Sequence, residues 1–416
     1  MKTEIETIAN KLVSLSYDKL TTYSKFENLI YPFTPEEFFQ HYYEKNYLHI
    51  TRNNPTYYDA ILNTDDIDLF FQNKNLQSNC LRVVKKGEEL PAYQWSHRNS
   101  SIANNDTLFV LFNQGKTLII NAGDKSIIKL INYCSDLEKE LKFRLQFNIY
   151  ITPHNSQGFA PHYDDHDVFI MQTTGTKVWR LYNTPIELPS RKQPHCKIKD
   201  KYELGEPTFE VELTPGDLLY IPRGLIHDAV TTDTASVHIT LGFHPNYWFE
   251  ILQEIAELAE EKAEFRKAVP NGITAESYQS QFKQDFLTLT QSLINNLDLD
   301  EILERKFDQY IDSKRSEDQN RFKDSIQVNQ LTLNSVLAKR QNMIYKIERD
   351  DENIYVKFYG KKLDFPRFTE PSINTLLQPQ SFAVKDIGGL VTDEGKIDLA
   401  TKFIQEGFLT IEQINA

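Results

Sequence analysis

A series of short strand-like segments between Phe143 and His244 constrains the fold of this chain more than any other feature. The segments are rich in β-branched and aromatic residues, and Gly, Pro and Asn residues separate them. They are Gln146–Thr152, Val168–Gln172, Lys177–Tyr182, Leu218–Ile221 and Val237–Phe243. Several short strands at this spacing predict a double-sheet β-barrel or jelly roll. Ligands of such barrels bind at the mouth, so the functional site is expected there.

The hydrophobic pattern changes from strand to helix after Pro245. One helical stripe at the period of 3.6 residues is formed by Trp248, Ile251, Leu252, Ile255 and Leu258, and a second by Tyr278, Phe282, Phe286, Leu289 and Leu293. The last hundred residues mix helix and strand again. A helix is predicted over Leu331–Leu337, a strand over Ile354–Tyr359, and a helix beginning near Pro371. We therefore predict three domains, at residues 1–245, 246–312 and 313–416.

Within the first domain, two apolar runs precede the strand-rich region. Leu108–Phe112 and Thr117–Asn121 are separated by Asn113-Gln114-Gly115-Lys116. Two apolar runs joined by a short polar, Gly-containing loop predict a pair of strands in a hairpin.

His162, Asp164 and His227 form the most informative polar pattern of the chain. Residues i and i+2 of a strand point to the same face, so His162 and Asp164 can reach one metal while Tyr163 faces away. Two imidazoles and one carboxylate are the ligand set of the facial triad that holds non-haem Fe(II) and leaves positions open for chemistry. His166 lies on the same face and is an alternative ligand, although a fourth ligand would occupy one of those open positions.

Composition and charge narrow the class of protein further. The chain has 416 residues and a net charge of −13, which argues against general nucleic-acid binding. Its cysteines, Cys80, Cys134 and Cys196, form no disulfide framework, and the pair His195-Cys196 lacks a matching half for a zinc site. Glu4 and Glu6 interrupt the apolar stretch that a signal peptide needs. The sequence also contains no apolar run long enough to predict a membrane span. These features predict a cytoplasmic protein with no membrane association.

The run from Gly158 to Tyr182, GFAPHYDDHDVFIMQTTGTKVWRLY, resembles the Jumonji C oxygenases, and among them the ribosomal oxygenase branch. The resemblance implies an α+β fold with a double-stranded β-helix (cupin or jelly-roll) catalytic core. A helical dimerisation region and a C-terminal winged-helix-like domain would follow. By the same resemblance His162, Asp164 and His227 are the iron ligands, and the cofactors are Fe(II), the cosubstrate 2-oxoglutarate and O2.

The resemblance also implies how the cosubstrate is held. Lys177 stands where the family places a cation for the distant carboxylate of 2-oxoglutarate, and an ammonium can make a charge-assisted hydrogen bond there. Asn148 and Tyr150 share one face of the preceding strand and match positions that line the cosubstrate pocket. Thr240, on a late strand, is a further candidate. Each of these residues could instead serve only packing or solvent exposure.

The function implied by the resemblance is hydroxylation of a His or Arg side chain of a basic ribosomal protein by a homodimeric oxygenase. An acidic enzyme surface would help to attract such a substrate. Two alternatives stay open: an oxygenase acting on a non-ribosomal peptide or small molecule, or as a lysine demethylase, and a non-catalytic cupin protein that binds metal or a partner. The C-terminal module is locally basic, but acidic residues are interspersed, and we expect no direct nucleic-acid binding.

Overall fold

The structure is a computed structural model that describes residues 26–269, 276–314, 319–341 and 343–415. The chain divides into two compact units, Met1–Pro245 and Asn246–Ala416. The boundary between them falls where the sequence pattern changes from strand to helix. The separation of residues 246–312 from 313–416 stays a prediction.

The first unit is built on two antiparallel sheets. Its strands are β1 (Leu48–Ile50), β2 (Leu81–Lys85), β3 (Glu88–Glu89), β4 (Thr117–Ile120), β5 (Arg144–Thr152), β6 (Asp167–Thr174), β7 (Lys177–Leu181), β8 (Phe209–Leu213), β9 (Leu218–Ile221), β10 (His227–Val230) and β11 (Ser236–His244). The larger sheet has the order β1-β9-β6-β11-β5-β4-β2-β3, and the smaller has the order β10-β7-β8. The predicted two-sheet barrel architecture is therefore confirmed.

The helices of the first unit pack against the larger sheet. They are α1 (Phe26–Ile30), α2 (Pro35–His41), α3 (Thr64–Gln72), α4 (Asn105–Asn113) and α5 (Ile128–Leu141). Helix α2 begins with a capping box: the Thr34 hydroxyl accepts a hydrogen bond from the Glu37 N–H at 3.2 Å, and the Glu37 carboxylate accepts one from the Thr34 N–H at 2.9 Å. Phe38 of this helix is fully buried against Phe169 and Tyr220 of the sheet. Such aromatic contacts anchor the helical layer on the barrel.

Strand β11 lies between β5 and β6, and its register places the candidate pocket residues beside one another. Thr240 pairs with Asn148, and His238 pairs with Tyr150. Because side chains alternate between the two faces of a strand, these four residues share the face opposite the one that carries Phe147 and Ile149 into the hydrophobic core. The sheet therefore separates a packed apolar side from a polar side that faces the barrel interior.

The predicted hairpin at Leu108–Phe112 and Thr117–Asn121 is wrong in its first half. Asn105–Asn113 is a helix, and only Thr117–Ile120 is a strand. The helix begins at Asn104, whose side-chain oxygen accepts a hydrogen bond from the Thr107 N–H at 3.1 Å. Leu108 is fully buried while Phe109 and Val110 are exposed, so the run has a single buried face rather than two.

The second unit contains helices and two three-stranded sheets. Its helices are α6 (Trp248–Glu260), α7 (Glu276–Asn295), α8 (Leu299–Ser313), α9 (Arg321–Gln327), α10 (Glu370–Leu376) and α11 (Asp393–Gln405). Its strands are β12 (Val336–Lys339), β13 (Lys346–Arg349), β14 (Asn353–Phe358), β15 (Lys361–Pro366), β16 (Phe382–Ala383) and β17 (Leu409–Gln413). The sheets have the orders β16-β12-β17 and β13-β14-β15, and they share one hydrophobic cluster with α10 and α11.

The predicted helix at Leu331–Leu337 is wrong, because Val336–Lys339 is a strand. Thr332 and Ser335 form a turn before it, in which the Ser335 hydroxyl accepts a hydrogen bond from the Thr332 N–H at 3.0 Å. Leu337 then pairs with Phe382 on one side and Ile411 on the other. The strand over 354–359 and the helix start near Pro371 agree with the structure, as β14 and α10. A winged helix stays a prediction for this part.

Candidate metal centre

His162, Asp164 and His227 meet at one point of the barrel. One ligand atom from each of these residues lies within 4.8 Å of the other two. The Nε2 atom of His162 is 3.8 Å from one carboxylate oxygen of Asp164, and the Nε2 atom of His227 is 3.8 Å from the other oxygen. Among the described residues, this is the only cluster of three or more His, Cys, Asp or Glu side chains with such spacing. The arrangement has the size of a metal site.

Backbone carbonyls orient both imidazole rings. The Nδ1 atom of His162 lies 2.9 Å from the Ala160 carbonyl oxygen, and the Nδ1 atom of His227 lies 3.0 Å from the Leu225 carbonyl oxygen. A carbonyl oxygen can only accept, so each Nδ1 carries the proton. In the neutral form of each ring the lone pair is therefore on Nε2, the nitrogen that lies 3.8 Å from an Asp164 oxygen. Hydrogen bonds of this kind commonly orient the histidines of metal sites.

The electrostatics keep His227 and Asp164 in the protonation states that bind a metal. Burial lowers the pKa of His227 to about 4, with a further contribution from nearby His162, so His227 is neutral at pH 7. Burial acts to raise the pKa of Asp164, but the imidazoles of His162, His166 and His227 outweigh it and lower the pKa below its usual value. A neutral imidazole and an ionised carboxylate are the forms that coordinate a cation.

Tyr163 faces away from the metal centre, as the alternation of an extended segment predicts. Residues 161–166 are not a continuous strand, because His162 forms only an isolated bridge, with His227. The Tyr163 ring is buried with Tyr182 and Ile226 in a small separate cluster, and its hydroxyl donates a hydrogen bond to the Gln193 carbonyl oxygen at 2.8 Å. The residues that precede or separate the ligands thus pack behind the site.

His166 lies outside the cluster of three ligands. Its ring stacks on His244, with centroids 4.7 Å apart, and its Nδ1 atom is 3.2 Å from a carboxylate oxygen of Asp165. Gly242 leaves space for this ring, because a Cβ at that position would lie 2.8 Å from the Cδ2 atom of His166. His166 therefore has a separate environment next to the triad.

A pocket of about 460 Å³, partly open to solvent, extends from the triad into the barrel. Lys177 lies in its wall and is only 3% exposed. The Lys177 ammonium donates one hydrogen bond, to the Thr152 hydroxyl at 3.0 Å, and within the described ranges it forms no ion pair. Burial lowers the pKa of Lys177 to about 7. A buried cation without a carboxylate partner is energetically costly, which makes this position a candidate for binding an anion.

Tyr150, His238 and Thr240 line the same pocket. The Tyr150 and His238 rings stack at 4.8 Å with an interplanar angle of 6°. Burial raises the pKa of the Tyr150 phenol and, together with the charge of Lys177, lowers the pKa of His238, so both groups are neutral at pH 7. The Nδ1 atom of His238 is buried and has no hydrogen-bond partner. A buried polar atom without a partner indicates that the pocket receives a further polar group.

Asn148 shares the face of Tyr150 but is already engaged. Its side-chain oxygen accepts hydrogen bonds from the Ala122 N–H at 3.0 Å and from the Gln146 amide at 3.2 Å. It is not among the residues that line the pocket. A cosubstrate role for Asn148 stays a prediction.

Sequence reasoning missed His238 and Phe159 as pocket residues. It gave His238 no role in the pocket, yet the Nδ1 atom of this residue is, with Nε1 of Trp179, one of two buried nitrogens of pocket residues without a hydrogen-bond partner. The pairing of His238 with Tyr150 requires the register of β5 and β11, which no local pattern contains. Phe159 lies next to the His162 ring, with centroids 5.3 Å apart, and the Arg82 guanidinium lies over the Phe159 ring at 5.2 Å.

Comparison with known proteins agrees with this geometry. Residues 129–251, which run from α5 through the barrel into α6, match the family model described as the JmjC domain. Residues 129–251 therefore match a JmjC domain, and the chain has a cupin fold. Curated proteins similar to this chain include proteins named Ribosomal oxygenase 1 and others named NO66.

One relative is Ribosomal oxygenase 1 of Homo sapiens, which is 33% identical over 267 residues, covering 59% of this chain and 39% of that protein. Another is the bifunctional lysine-specific demethylase and histidyl-hydroxylase NO66 of Culex quinquefasciatus, which is 30% identical and covers 68% of this chain and 46% of that protein. The chain thus spans two fifths to half of the length of these relatives.

A solved structure extends the likeness in fold to most of the chain. The Escherichia coli ribosomal oxygenase YcfD superposes with a TM-score of 0.53 at 16% identity, covering 91% of this chain and 98% of that one. No helix in the described ranges is long and apolar enough to cross a membrane.

Proposed function

We propose that this chain is an Fe(II)- and 2-oxoglutarate-dependent oxygenase that hydroxylates a histidine or arginine side chain of a ribosomal protein. The observation that carries the proposal is the joint presence of the three-residue metal site and the buried, unpaired Lys177 in one pocket. A protein that only binds a metal has no need of a buried, unpaired lysine in the same pocket. The relatives named as oxygenases support the same reading.

The chain's donor set suits Fe(II). Two neutral imidazoles and one carboxylate bind one side of a metal and leave its remaining positions free. The Nε2 atoms of His162 and His227 and the Asp164 carboxylate would hold the ion, with the two rings oriented by the Ala160 and Leu225 carbonyls.

The pocket also suits a dicarboxylate cosubstrate. The Lys177 ammonium would form an ion pair with the carboxylate that lies farther from the metal, and the Thr152 hydroxyl holds the ammonium in place. Tyr150 and Thr240 offer hydroxyl groups, and His238 offers its free nitrogen, to the same molecule. A related structure, YcfD of Escherichia coli, is described in complex with cobalt and 2-oxoglutarate and superposes with a TM-score of 0.50 at 17% identity.

The chemistry divides between the bound groups and the chain. Bound Fe(II) with 2-oxoglutarate and O2 supplies the oxidising power, with succinate and CO2 as co-products. The chain's own residues orient the cosubstrate, keep the imidazoles deprotonated at Nε2 and shield the pocket from water. The Trp179 and Ile170 side chains contribute to this shielding, since both line the pocket and are at most 5% exposed.

Two measurements test the proposal. Purified protein supplied with Fe(II), ascorbate and 2-oxoglutarate should form succinate slowly without a substrate, and His162→Ala or Asp164→Ala should abolish it, while His97→Ala, at an exposed histidine outside the site, should not. Mass spectrometry of ribosomal proteins from cells with and without this gene should then identify a peptide that has lost the mass of one oxygen atom. Equal succinate formation by wild type and both triad variants would reject the proposed oxygenase activity.

A lysine demethylase is the second candidate, because the relative from Culex quinquefasciatus is named for that activity as well as for histidyl hydroxylation. Incubation with methylated histone peptides distinguishes the two activities. Loss of a methyl group, with no oxygenated product from ribosomal proteins, would favour demethylation.

We also propose that the helices of residues 246–312 form a homodimer and that the protein acts in the cytoplasm. Trp248, Leu252 and Leu287 are each more than 60% exposed on these helices, which is a large apolar surface for a monomer. The proposed winged-helix-like domain at 313–416 would then follow the dimerisation region. Light scattering that gives a monomer mass would reject the dimer.

A further inference from the structure

The segment between β7 and β8 carries an unusual concentration of positive charge next to the metal centre. Residues 191–201 contain five basic side chains and one acidic residue, Asp200, which gives +5 − 1 = +4 in a chain whose net charge is −13. The basic residues are Arg191, Lys192, Lys197, Lys199 and Lys201, and all five are exposed. Within the described part of the chain, none of them forms an ion pair or donates a side-chain hydrogen bond.

The apolar side of this segment is anchored behind the metal ligands. Ile198, Tyr202 and Leu204 pack on the cluster of Tyr163, Tyr182 and Ile226, and Tyr163 lies between two ligands in the chain. The His195 ring lies 6.5 Å from the His162 ring and 5.2 Å from the Tyr163 ring, and its Nε2 atom is 2.5 Å from the Tyr202 hydroxyl. The segment is therefore held next to the metal centre while its cations stay in solvent.

Two of these cations act on residues at the site. Burial lowers the pKa of His195, and the charges of His162 and Lys199 lower it further. The hydrogen bond with His166 lowers the pKa of Asp165 and burial lowers that of His244, and the charge of Arg191 makes a smaller contribution in the same direction to both. Asp165 follows the candidate ligand Asp164 directly.

Five basic residues of the second unit behave differently. Lys346, Lys357 and Lys362 each form an ion pair with Glu348. Arg340 is paired with Asp324, and Lys361 with Glu406. These five cations are therefore neutralised by neighbours, whereas those of residues 191–201 are available for a partner.

We propose that residues 191–201 bind an acidic stretch of the substrate polypeptide, next to the side chain that is oxidised. The inference rests on the proposed function, because a protein hydroxylase must hold the polypeptide on both sides of the target residue. Since His195 is adjacent to His162, a polypeptide with one side chain at the metal runs within reach of this segment. Carboxylates are the groups of a polypeptide that unpaired lysines and arginines attract.

A polypeptide fits this surface better than RNA. Single-stranded RNA is held by exposed aromatic side chains as well as cations, and residues 191–201 contain no Phe, Tyr or Trp. A ribosomal protein that is basic overall can still carry an acidic stretch. Charges in water act over about 8 Å at physiological salt. The segment therefore interacts only with substrate residues close to the side chain that is oxidised.

Binding of labelled peptides to the full chain tests the proposal. One peptide carries Asp and Glu on both sides of a central histidine, a second has a central arginine instead, and a third has Lys in place of the acidic residues. We expect the acidic peptides to bind, with an affinity that falls as salt rises, and the lysine peptide not to bind. The double variant Lys197→Glu/Lys199→Glu should weaken binding by roughly tenfold or more.

The matched control is Lys74→Glu/Lys139→Glu, which changes the net charge equally at two exposed lysines outside the segment. It should bind the acidic peptides as wild type does, and circular dichroism should show that both double variants are folded. The proposal is overturned if acidic and lysine peptides bind equally, or if both double variants lose affinity equally. It is also overturned if oligouridine binds through Lys197 and Lys199 while acidic peptides do not compete. Substrate-independent succinate formation by wild type tests the proposed function separately, because it requires no peptide.

Discussion

His162 and His227 are joined to each other through their backbones. The His162 N–H donates to the His227 carbonyl at 3.0 Å, and the His227 N–H donates to the His162 carbonyl at 2.8 Å. In an antiparallel pair of this kind the two Cα atoms lie about 5.5 Å apart. The spacing of the two imidazoles is therefore set by the backbone and does not depend on a bound metal. The site should be largely preformed in the metal-free protein.

A preformed site predicts that a ligand can be removed without unfolding the barrel. His227→Ala should lower the affinity for Mn(II), a redox-stable substitute for Fe(II), by more than about 100-fold, the loss that removal of even an outer-sphere partner can reach. Isothermal titration calorimetry measures this affinity, and the thermal midpoint should change little because the backbone pair remains. His97→Ala should bind Mn(II) as wild type does. Unchanged affinity in His227→Ala would exclude this residue as a ligand.

Lys177 is predicted to cost stability and to be needed for cosubstrate binding. Lys177→Met removes a buried cation that has no ion-pair partner among the described residues, so the variant without 2-oxoglutarate should melt a few degrees higher than wild type. The same change should raise the KM for 2-oxoglutarate by roughly 10- to 100-fold, because a charge-assisted hydrogen bond is lost. Lys74→Met, at an exposed lysine, should alter neither quantity. A lower melting temperature together with an unchanged KM would contradict both roles.

The low pKa of Lys177 also predicts a pH dependence of stability. Burial lowers the pKa in the folded protein to about 7 from the ordinary value of 10.5, so between these values the unfolded chain binds the extra proton. Protonation therefore favours the unfolded chain. The loss of folding stability caused by the buried Lys177 is complete below about pH 7 and disappears as the pH rises through 10.5. The stability advantage of Lys177→Met over wild type should therefore be largest at pH 7 and shrink toward pH 10. Urea titrations of both proteins across this range measure the stability difference. A difference that stays constant or grows with pH would show that the pKa of Lys177 is not lowered.

Gly175 occupies the turn between β6 and β7, just before Lys177. Its φ is +62°, and a Cβ there would lie 1.8 Å from the Ala235 carbonyl oxygen. Gly175→Ala should therefore destabilise the protein by about 3 kcal/mol or more, since backbone strain and a backbone clash combine. Gly205 has a similar φ of +69° but no atom within 4 Å, so Gly205→Ala should cost only about 1 kcal/mol. Equal losses in urea unfolding would show that the close approach to Ala235 does not matter.

The Tyr163 hydroxyl links the metal centre to the basic segment of residues 191–201. Tyr163→Phe removes its hydrogen bond to the Gln193 carbonyl but keeps the buried ring. We expect the free energy of local opening of the segment to fall by about 1 kcal/mol. Trypsin should then cleave at its lysines and arginines roughly fivefold faster. Affinity for Mn(II) should stay unchanged, which distinguishes a local loosening from a general one. Identical cleavage rates would mean that the ring alone holds the segment.

Local patterns predicted the strands of the barrel better than the elements around it. Strands β5, β6, β7, β9 and β11 lie within a residue or two of their predicted positions. The errors fall at Leu108–Phe112 and Leu331–Leu337, where short apolar runs are compatible with either helix or strand. Helix α4 is favoured by its cap at Asn104, and β12 by its pairing with β16 and β17. Both of these partners are distant in the chain and leave no local signal.

The sequence by itself predicted the ligand types and the two-sheet barrel, because these depend on residue identity and on the period of two. Its resemblance to the Jumonji C oxygenases added the candidate cation at Lys177. Only the tertiary structure decided that His162 and His227 pair through their backbones, that His238 stacks on Tyr150 with a free nitrogen, and that residues 191–201 lie beside the metal centre. Each of these depends on strand register or on loop packing. Those are contacts between residues far apart in the chain, and local periodicity carries no information about them.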